Sequence, residues 1–192
     1  MSALPKSLAK LNCDVKVIIP RYKCIPQKFQ EKMEYKGSFY MDLCADGKQY
    51  YVGIMEYQED GVVYDFIDND EYFKRKATFA DEEGVLYPDN DERAIFFAKG
   101  VVETVKKLNW VPDIIHVHGW MAAMLPIYLK HFYKNEALFS ETKIVTSVYS
   151  QSFEGTLDVG MINKVKFDGV PVDEIVDLTI PNYENIIRTT VK

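Results

Sequence analysis

The chain is poor in cysteine: Cys13, Cys24 and Cys44 are its only three among 192 residues, and no two have CxxC spacing. That excludes a disulfide-stapled scaffold and a zinc ribbon, and points to a reducing compartment, the cytoplasm. No apolar run approaches the roughly 18 residues a membrane span needs, so no membrane association is expected. Basic residues are outnumbered, 23 Lys and Arg against 29 Asp and Glu, for a net charge of −6. This argues against a nucleic-acid partner held through the phosphate backbone. There is no GxGxxG, Walker loop, GxSxG or HExxH, no repeat and no low-complexity tract. What is abundant is apolar and aromatic: 47% hydrophobic and 14% Phe, Trp and Tyr, with 13 tyrosines. Disorder is excluded by that content. At this length roughly 70% of the unfolded surface can be buried, and one domain, or one with a small appendage, is expected.

The pattern along the chain alternates helix and strand. Residues 3–11 read as a helix with Leu4, Leu8 and Leu11 on one side and Pro5 in its first turn. Residues 14–20 (DVKVIIP) read as a buried parallel strand. A helix running straight into such a strand is the second half of a βαβ unit, so a first strand is expected ahead of Met1. Three aromatic-rich runs follow, Ser38–Cys44, Gln49–Tyr57 and Val62–Asp68, separated by Asp46-Gly47 and Asp60-Gly61. Asp-Gly between β-formers predicts hairpin turns and hence an antiparallel meander.

A short helix is expected at Asn69–Phe73, and a longer one from Asp89-Asn90 to about Leu108, its apolar side lined by Ile95, Phe96, Val102 and Val105. Asp113–His118 and Lys143–Tyr149 read as two further parallel strands around a helix, Trp120–Tyr133, in which Pro126 marks a kink or a later start. Weaker helical patterns lie at Val172–Leu178 and Tyr183–Val191. The alternation predicts an α/β, Rossmann-like doubly wound parallel sheet with an inserted antiparallel meander.

In such sheets ligands bind beyond the carboxyl ends of the strands. That singles out the loops after Pro20, at His116–Trp120 and at Tyr149–Gly155. His116 and His118 are two apart on a strand and share a face. They fit a clamp on sugar hydroxyls, a metal chelate, or strand-end histidines satisfied by hydrogen bonds. No third ligand stands at metal spacing, so no metal is expected. Trp120 is a stacking platform or a core residue at the helix start. Tyr149 and Glu154 share a loop, where a carboxylate can bind hydroxyls, act as a base or remain solvated. Tyr40, Tyr50 and Tyr51 in the meander either stack on sugar or pack on a helix. A flavodoxin-like nucleotide binder is a third possible class.

Five segments together resemble one family. They are Ala3-Leu4-Pro5-Lys6-Ser7-Leu8, Asp14–Tyr22, Tyr64–Phe73 (YDFIDNDEYF), Asp89–Phe97 (DNDERAIFF) and Trp110–His116 (WVPDIIH). Their order is similar to the amino-terminal catalytic domain of bacterial glycogen and starch synthases, glucosyltransferases with two Rossmann-like lobes (the GT-B fold). The resemblance implies a retaining enzyme that moves glucose from ADP- or UDP-glucose to the non-reducing end of an α-1,4-glucan, without cofactor. It implies that residues 1–192 are a piece of that domain, truncated at both ends. A Lys-x-Gly-Gly loop would precede Met1, and a second lobe would hold the nucleotide-glucose. The fragment alone is then expected to be inactive. His118, Trp120, Tyr149 and Glu154 are expected along the sugar cleft, with His116 supporting the strand end.

Two motifs depart from the family pattern. Its His-x-Asn-Asp-Trp-His reads His116-Val117-His118-Gly119-Trp120-Met121, and its Thr-Ile-His-Asn reads Ser147-Val148-Tyr149-Ser150. Those replacements leave a second reading open, a non-catalytic glucan-binding or scaffold module on the same lobe.

Overall fold

The computed structural model describes residues 3–149, 155–166 and 170–190. The chain folds as two compact units, Met1–Met41 with Tyr50–Glu83, and Asp42–Gln49 with Gly84–Lys192.

The first unit begins with helix α1 (Ala3–Lys10), strand β1 (Val15–Pro20) and the single turn α2 (Gln27–Gln30). Strands β2 (Glu34–Asp42), β3 (Gln49–Glu59) and β4 (Val62–Asp68) and the turn α3 (Asp70–Phe73) follow. They make one sheet in the order β1-β4-β3-β2. β1 runs parallel to β4, with Val15 opposite Val62 and Pro20 opposite Ile67; β3 runs antiparallel to β4. The Asp60-Gly61 hairpin forms as the sequence predicts: both residues take positive φ, 52° and 78°, the mirror-image turn whose twist matches paired strands. Tyr50, Val52 and Ile54 alternate into the core from β3, beside Ile67 of β4, while Phe66 is buried on the other face. The expected apolar stripe of α1 is not covered: the helix buries no residue, and Leu4 and Leu11 are exposed. The Asn69 side chain starts α3 by accepting from the Tyr72 N–H at 3.0 Å, and donates to the Tyr51 carbonyl at 2.9 Å. The FIDN segment thus joins β3 to the end of β4.

The second unit is organised by α4 (Asn90–Lys107). Ile95, Phe96, Val102 and Val105 are buried as expected, but so are Asn90, Asp91, Arg93, Lys99 and Thr104, because the helix is enclosed on nearly every side. Buried Lys99 donates from Nζ to the carbonyls of Asp42 and Leu43 and lies 4.9 Å from the centre of the Phe132 ring. Burial pulls its pKa below the usual lysine value. The turn between β2 and β3 is thereby tied to α4. β5 (Ile114–His118) leads through a 3₁₀ turn at Trp120–Ala122 to α5 (Leu125–His131). The helix expected over Trp120–Tyr133 is therefore broken, and Pro126 sits in the first turn of α5, where its missing N–H costs nothing. β6 (Lys143–Ser147) pairs parallel with β5. The WVPD segment anchors its start: Lys143 N–H donates to the Asp113 carbonyl at 2.8 Å and the Thr142 hydroxyl to the Pro112 carbonyl at 2.7 Å. A single turn, α6 (Met161–Lys164), and a longer helix, α7 (Tyr183–Thr190), follow. The helix expected at Val172–Leu178 shrinks to one 3₁₀ turn, Val172–Glu174, behind Pro171.

Both units carry parallel ladders with helices, and the first adds the antiparallel meander, the α/β class expected.

Candidate functional site at the carboxyl ends of β5 and β6

The parallel register of β5 and β6 places His116 beside Val145 and His118 beside Ser147. Each imidazole then leans forward along the strands to the next residue on the same face. One ring nitrogen of His116, Nε2, lies 2.8 Å from the Ser147 hydroxyl, and Nδ1 of His118 lies 2.8 Å from the Tyr149 hydroxyl. The two imidazole rings are 4.0 Å apart at their centres, and the Tyr149 ring is 6.1 Å from that of His118. Two histidines, a serine and a tyrosine thus form one hydrogen-bonded patch at the strand tips. Ile114 and Val145 lie on the same face, 59% and 44% exposed, so its base is apolar and its tip polar.

Burial, and then repulsion from His116, holds His118 below the ordinary imidazole pKa. A neutral imidazole keeps one donor and one acceptor nitrogen. With its neighbours' hydroxyls it offers uncharged, two-way hydrogen bonding, the chemistry that suits sugar hydroxyls. Among the described residues, no cluster of three or more His, Cys, Asp or Glu is placed to hold a metal ion.

The sequence-predicted residues fall as follows. His116, His118 and Tyr149 come together. Trp120, half-buried, opens the 3₁₀ turn one residue beyond Gly119. Glu154 lies outside the described residues. Ser147 was missed as the His116 partner; only the β5–β6 register reveals it. Gly119 has φ 74° and ψ 174°, a backbone region open essentially to glycine alone. A Cβ built there would meet nothing within 4 Å. The position where the family pattern has aspartate is therefore held by a glycine-specific turn facing open space.

The DNDER segment, by contrast, forms a largely buried polar network at the head of α4. Arg93 Nη1 donates to Asn90 Oδ1 at 2.7 Å and the guanidinium stacks on Tyr87. Lys164 reaches Asp91 at 2.8 Å and Glu92 at 2.9 Å. Asp89 occupies the N-cap position without a side-chain capping bond, and the Asn90 oxygen accepts from Arg93. A separate cavity of about 500 Å³ lies against Leu129, Lys130, Phe139, Ile144, Thr146 and Thr190. Ile144 and Thr146 alternate with Val145 and Ser147 on β6, which puts this cavity on the opposite face of that strand from the histidines.

The starch synthase catalytic domain model matches residues 1–189. The chain belongs to the starch synthase catalytic-domain family. It is 36% identical over 157 residues to a glycogen synthase of Clostridium botulinum (strain Alaska E43 / Type E3), covering 81% of this chain and 31% of that protein. It is 31% identical over 183 residues to a glycogen synthase of Lachnospira eligens, covering 95% of this chain and 36% of the relative. The chain therefore spans about a third of the length of these curated relatives. Among solved structures it is similar to the catalytic domain of Starch Synthase IV from Arabidopsis thaliana bound to ADP and acarbose. That match has a TM-score of 0.68 and 21% identity, over 91% of this chain and 34% of that one. At that identity the likeness bears on the fold: this chain has the fold of the matched third of that domain. No described helix of this family member is long and apolar enough to cross a membrane.

Proposed function

We propose that this chain is part of the amino-terminal lobe of a cytoplasmic glycogen or starch synthase. The full protein would transfer glucose, with retention, from a nucleotide-glucose to the non-reducing end of an α-1,4-glucan. Family membership supports the reaction class, and ADP and acarbose in the Starch Synthase IV structure match a nucleotide donor and a glucan-like ligand. The observation that carries the site is the patch in which His118 and Tyr149 share a hydrogen bond at the strand tips. In this reading His118 and Tyr149 contact a sugar, Trp120 and Glu154 shape the cleft wall, and His116, bound to Ser147, holds the strand end.

Departure of a nucleoside diphosphate needs positive charge at the leaving phosphate. The strand-tip patch is made of imidazoles and hydroxyls, so that charge is assigned to a second lobe, which would also hold the donor. Closure of two lobes orients the reactants and excludes water. Residues 1–192 alone are accordingly expected to be inactive. One observation favours the second reading, a non-catalytic glucan-binding module: the glycine-only backbone at Gly119, where the family motif has aspartate. The experiment is glucose incorporation into glycogen by the full-length protein, with Tyr149→Phe and Glu154→Ala beside wild type. Transfer that falls in either variant supports the enzyme and its site. Absence of transfer by the wild type with both ADP- and UDP-glucose, alongside retained glycogen binding, selects the module.

A further inference from the structure

The meander carries a second feature that the strand-tip site does not use. On the face of β3 that Val52 and Ile54 do not occupy, the Tyr51 side chain reaches along its own strand to Gly53. A Cβ at Gly53 would come within 3.0 Å of Tyr51 Oη and 3.2 Å of its Cε1. The absence of a side chain at Gly53 thus makes room for the phenol, which remains 39% exposed. Tyr40 of β2 packs against it at 5.7 Å between ring centres and 69° between planes, forming a corner of two rings. Tyr35 stands nearby, its hydroxyl donating to Ser38 Oγ at 2.8 Å. Tyr40, Tyr35 and Tyr51 are 66%, 60% and 39% exposed, a large aromatic surface to leave in water.

The rim of this corner is polar but internally neutral. Asp68, opposite Gly53 at the end of β4, accepts from Arg21 Nη1 at 3.0 Å, and Lys74 pairs with Asp70. Two positive and two negative groups cancel, so the patch favours no ionic partner. Arg21 and Asp68 lie at the carboxyl ends of the parallel pair β1 and β4, the end where α/β sheets take ligands.

We infer that the Tyr51–Tyr40 corner, with the Asp68–Arg21 pair at its rim, is a second carbohydrate-binding platform that anchors an uncharged α-linked glucan. A pyranose offers an apolar C–H face to stack on the exposed phenol of Tyr51 and a rim of hydroxyls for the paired carboxylate and guanidinium. Two rings meeting at a steep angle fit a chain that turns from unit to unit, as α-1,4-glucans do, better than a flat β-1,4 ribbon. This deepens the reading of the protein as a glucan enzyme by assigning it a holding site besides the reacting one.

The test is affinity electrophoresis of the full-length protein through gels containing glycogen, with cellulose oligomers as a competing arm. Tyr40→Ala alone is expected to weaken retention about threefold, Tyr40→Ala with Tyr51→Ala at least tenfold, and Tyr40→Trp to keep it. Unchanged thermal midpoints keep the single variant interpretable, because exposed Tyr40 carries little of the core. Wild-type retention in Tyr40→Ala and in the double variant would overturn the platform, as would displacement from glycogen by cellulose oligomers. The readout needs no catalysis. A full-length protein that fails to transfer glucose refutes the proposed reaction while this platform stands or falls on retention alone.

Discussion

The head of α4 and the tips of β5 and β6 belong to the same unit and are both crowded with polar side chains, yet they are built in opposite ways. At the helix head Asn90, Asp91 and Arg93 are buried and engage neighbouring side chains: Arg93 on the Asn90 amide, and Lys164 on the carboxylates of Asp91 and Glu92. Carboxylates hold the Lys164 ammonium above the usual lysine range against the opposing pull of burial. At the strand tips the groups are imidazoles and hydroxyls that reach water and share single hydrogen bonds between side chains. The first arrangement fixes a helix. The second leaves donors and acceptors within reach of a ligand. A polar motif is thus read as structural or functional less by its residue types than by whether its partners are already supplied.

The largest effect that could break this contrast is at the helix head. Arg93→Met should destabilise the fold by about 1–3 kcal/mol, the usual cost of leaving a buried polar partner, here the Asn90 amide, unsatisfied. Urea unfolding would show it, and a loss below about 1 kcal/mol would mean that the network is not what secures α4. Next is the one rigid demand of the tip: Gly119→Ala should cost about 1–2 kcal/mol from its positive φ alone, with no steric clash to add. A neutral substitution would show that this turn has other backbone choices. Tyr149→Phe should then leave stability within about 0.5 kcal/mol while lowering glucose transfer by the full-length protein about fivefold, the worth of about one hydrogen bond. Equal damage to stability would move Tyr149 to the structural side of the comparison.

The smallest effect is electrostatic. Since His118 has its folded pKa below the unfolded value near 6.5, its contribution to stability is present above that pH and is lost as pH falls through the folded value. His116→Gln removes the repelling neighbour, so the His118 titration followed by NMR should move upward toward the ordinary imidazole range. An unmoved titration would show that burial alone sets it.

Much of the framework was legible in the sequence because short-range physics decides it. Asp60-Gly61 specifies its turn through two positive φ values, and the β-branched runs at Val15–Pro20 and Lys143–Ser147 could only be strands. The site was legible as a set of residue types at strand ends, and two residues apart on a strand meant that His116 and His118 would share a face. Pairing was not. Ser147 meets His116 across 31 positions through a register that no local pattern encodes. No local pattern marks the charged Lys99 and Arg93 as buried, and only the enclosure of α4, a property of the whole unit, turns them inward. The apolar stripe of α1 shows the converse: periodicity marks a face without supplying what covers it.

The contrast rests finally on His118 and Tyr149 acting as one sugar-contacting pair. A double-mutant cycle on glucose transfer by the full-length protein, with His118→Ala, Tyr149→Phe and both together, measures that most directly. The account predicts that each single variant loses about fivefold and that the double loses little more than either, because one hydrogen bond joins them. Wild-type transfer in all three variants, with the fold intact, would contradict it.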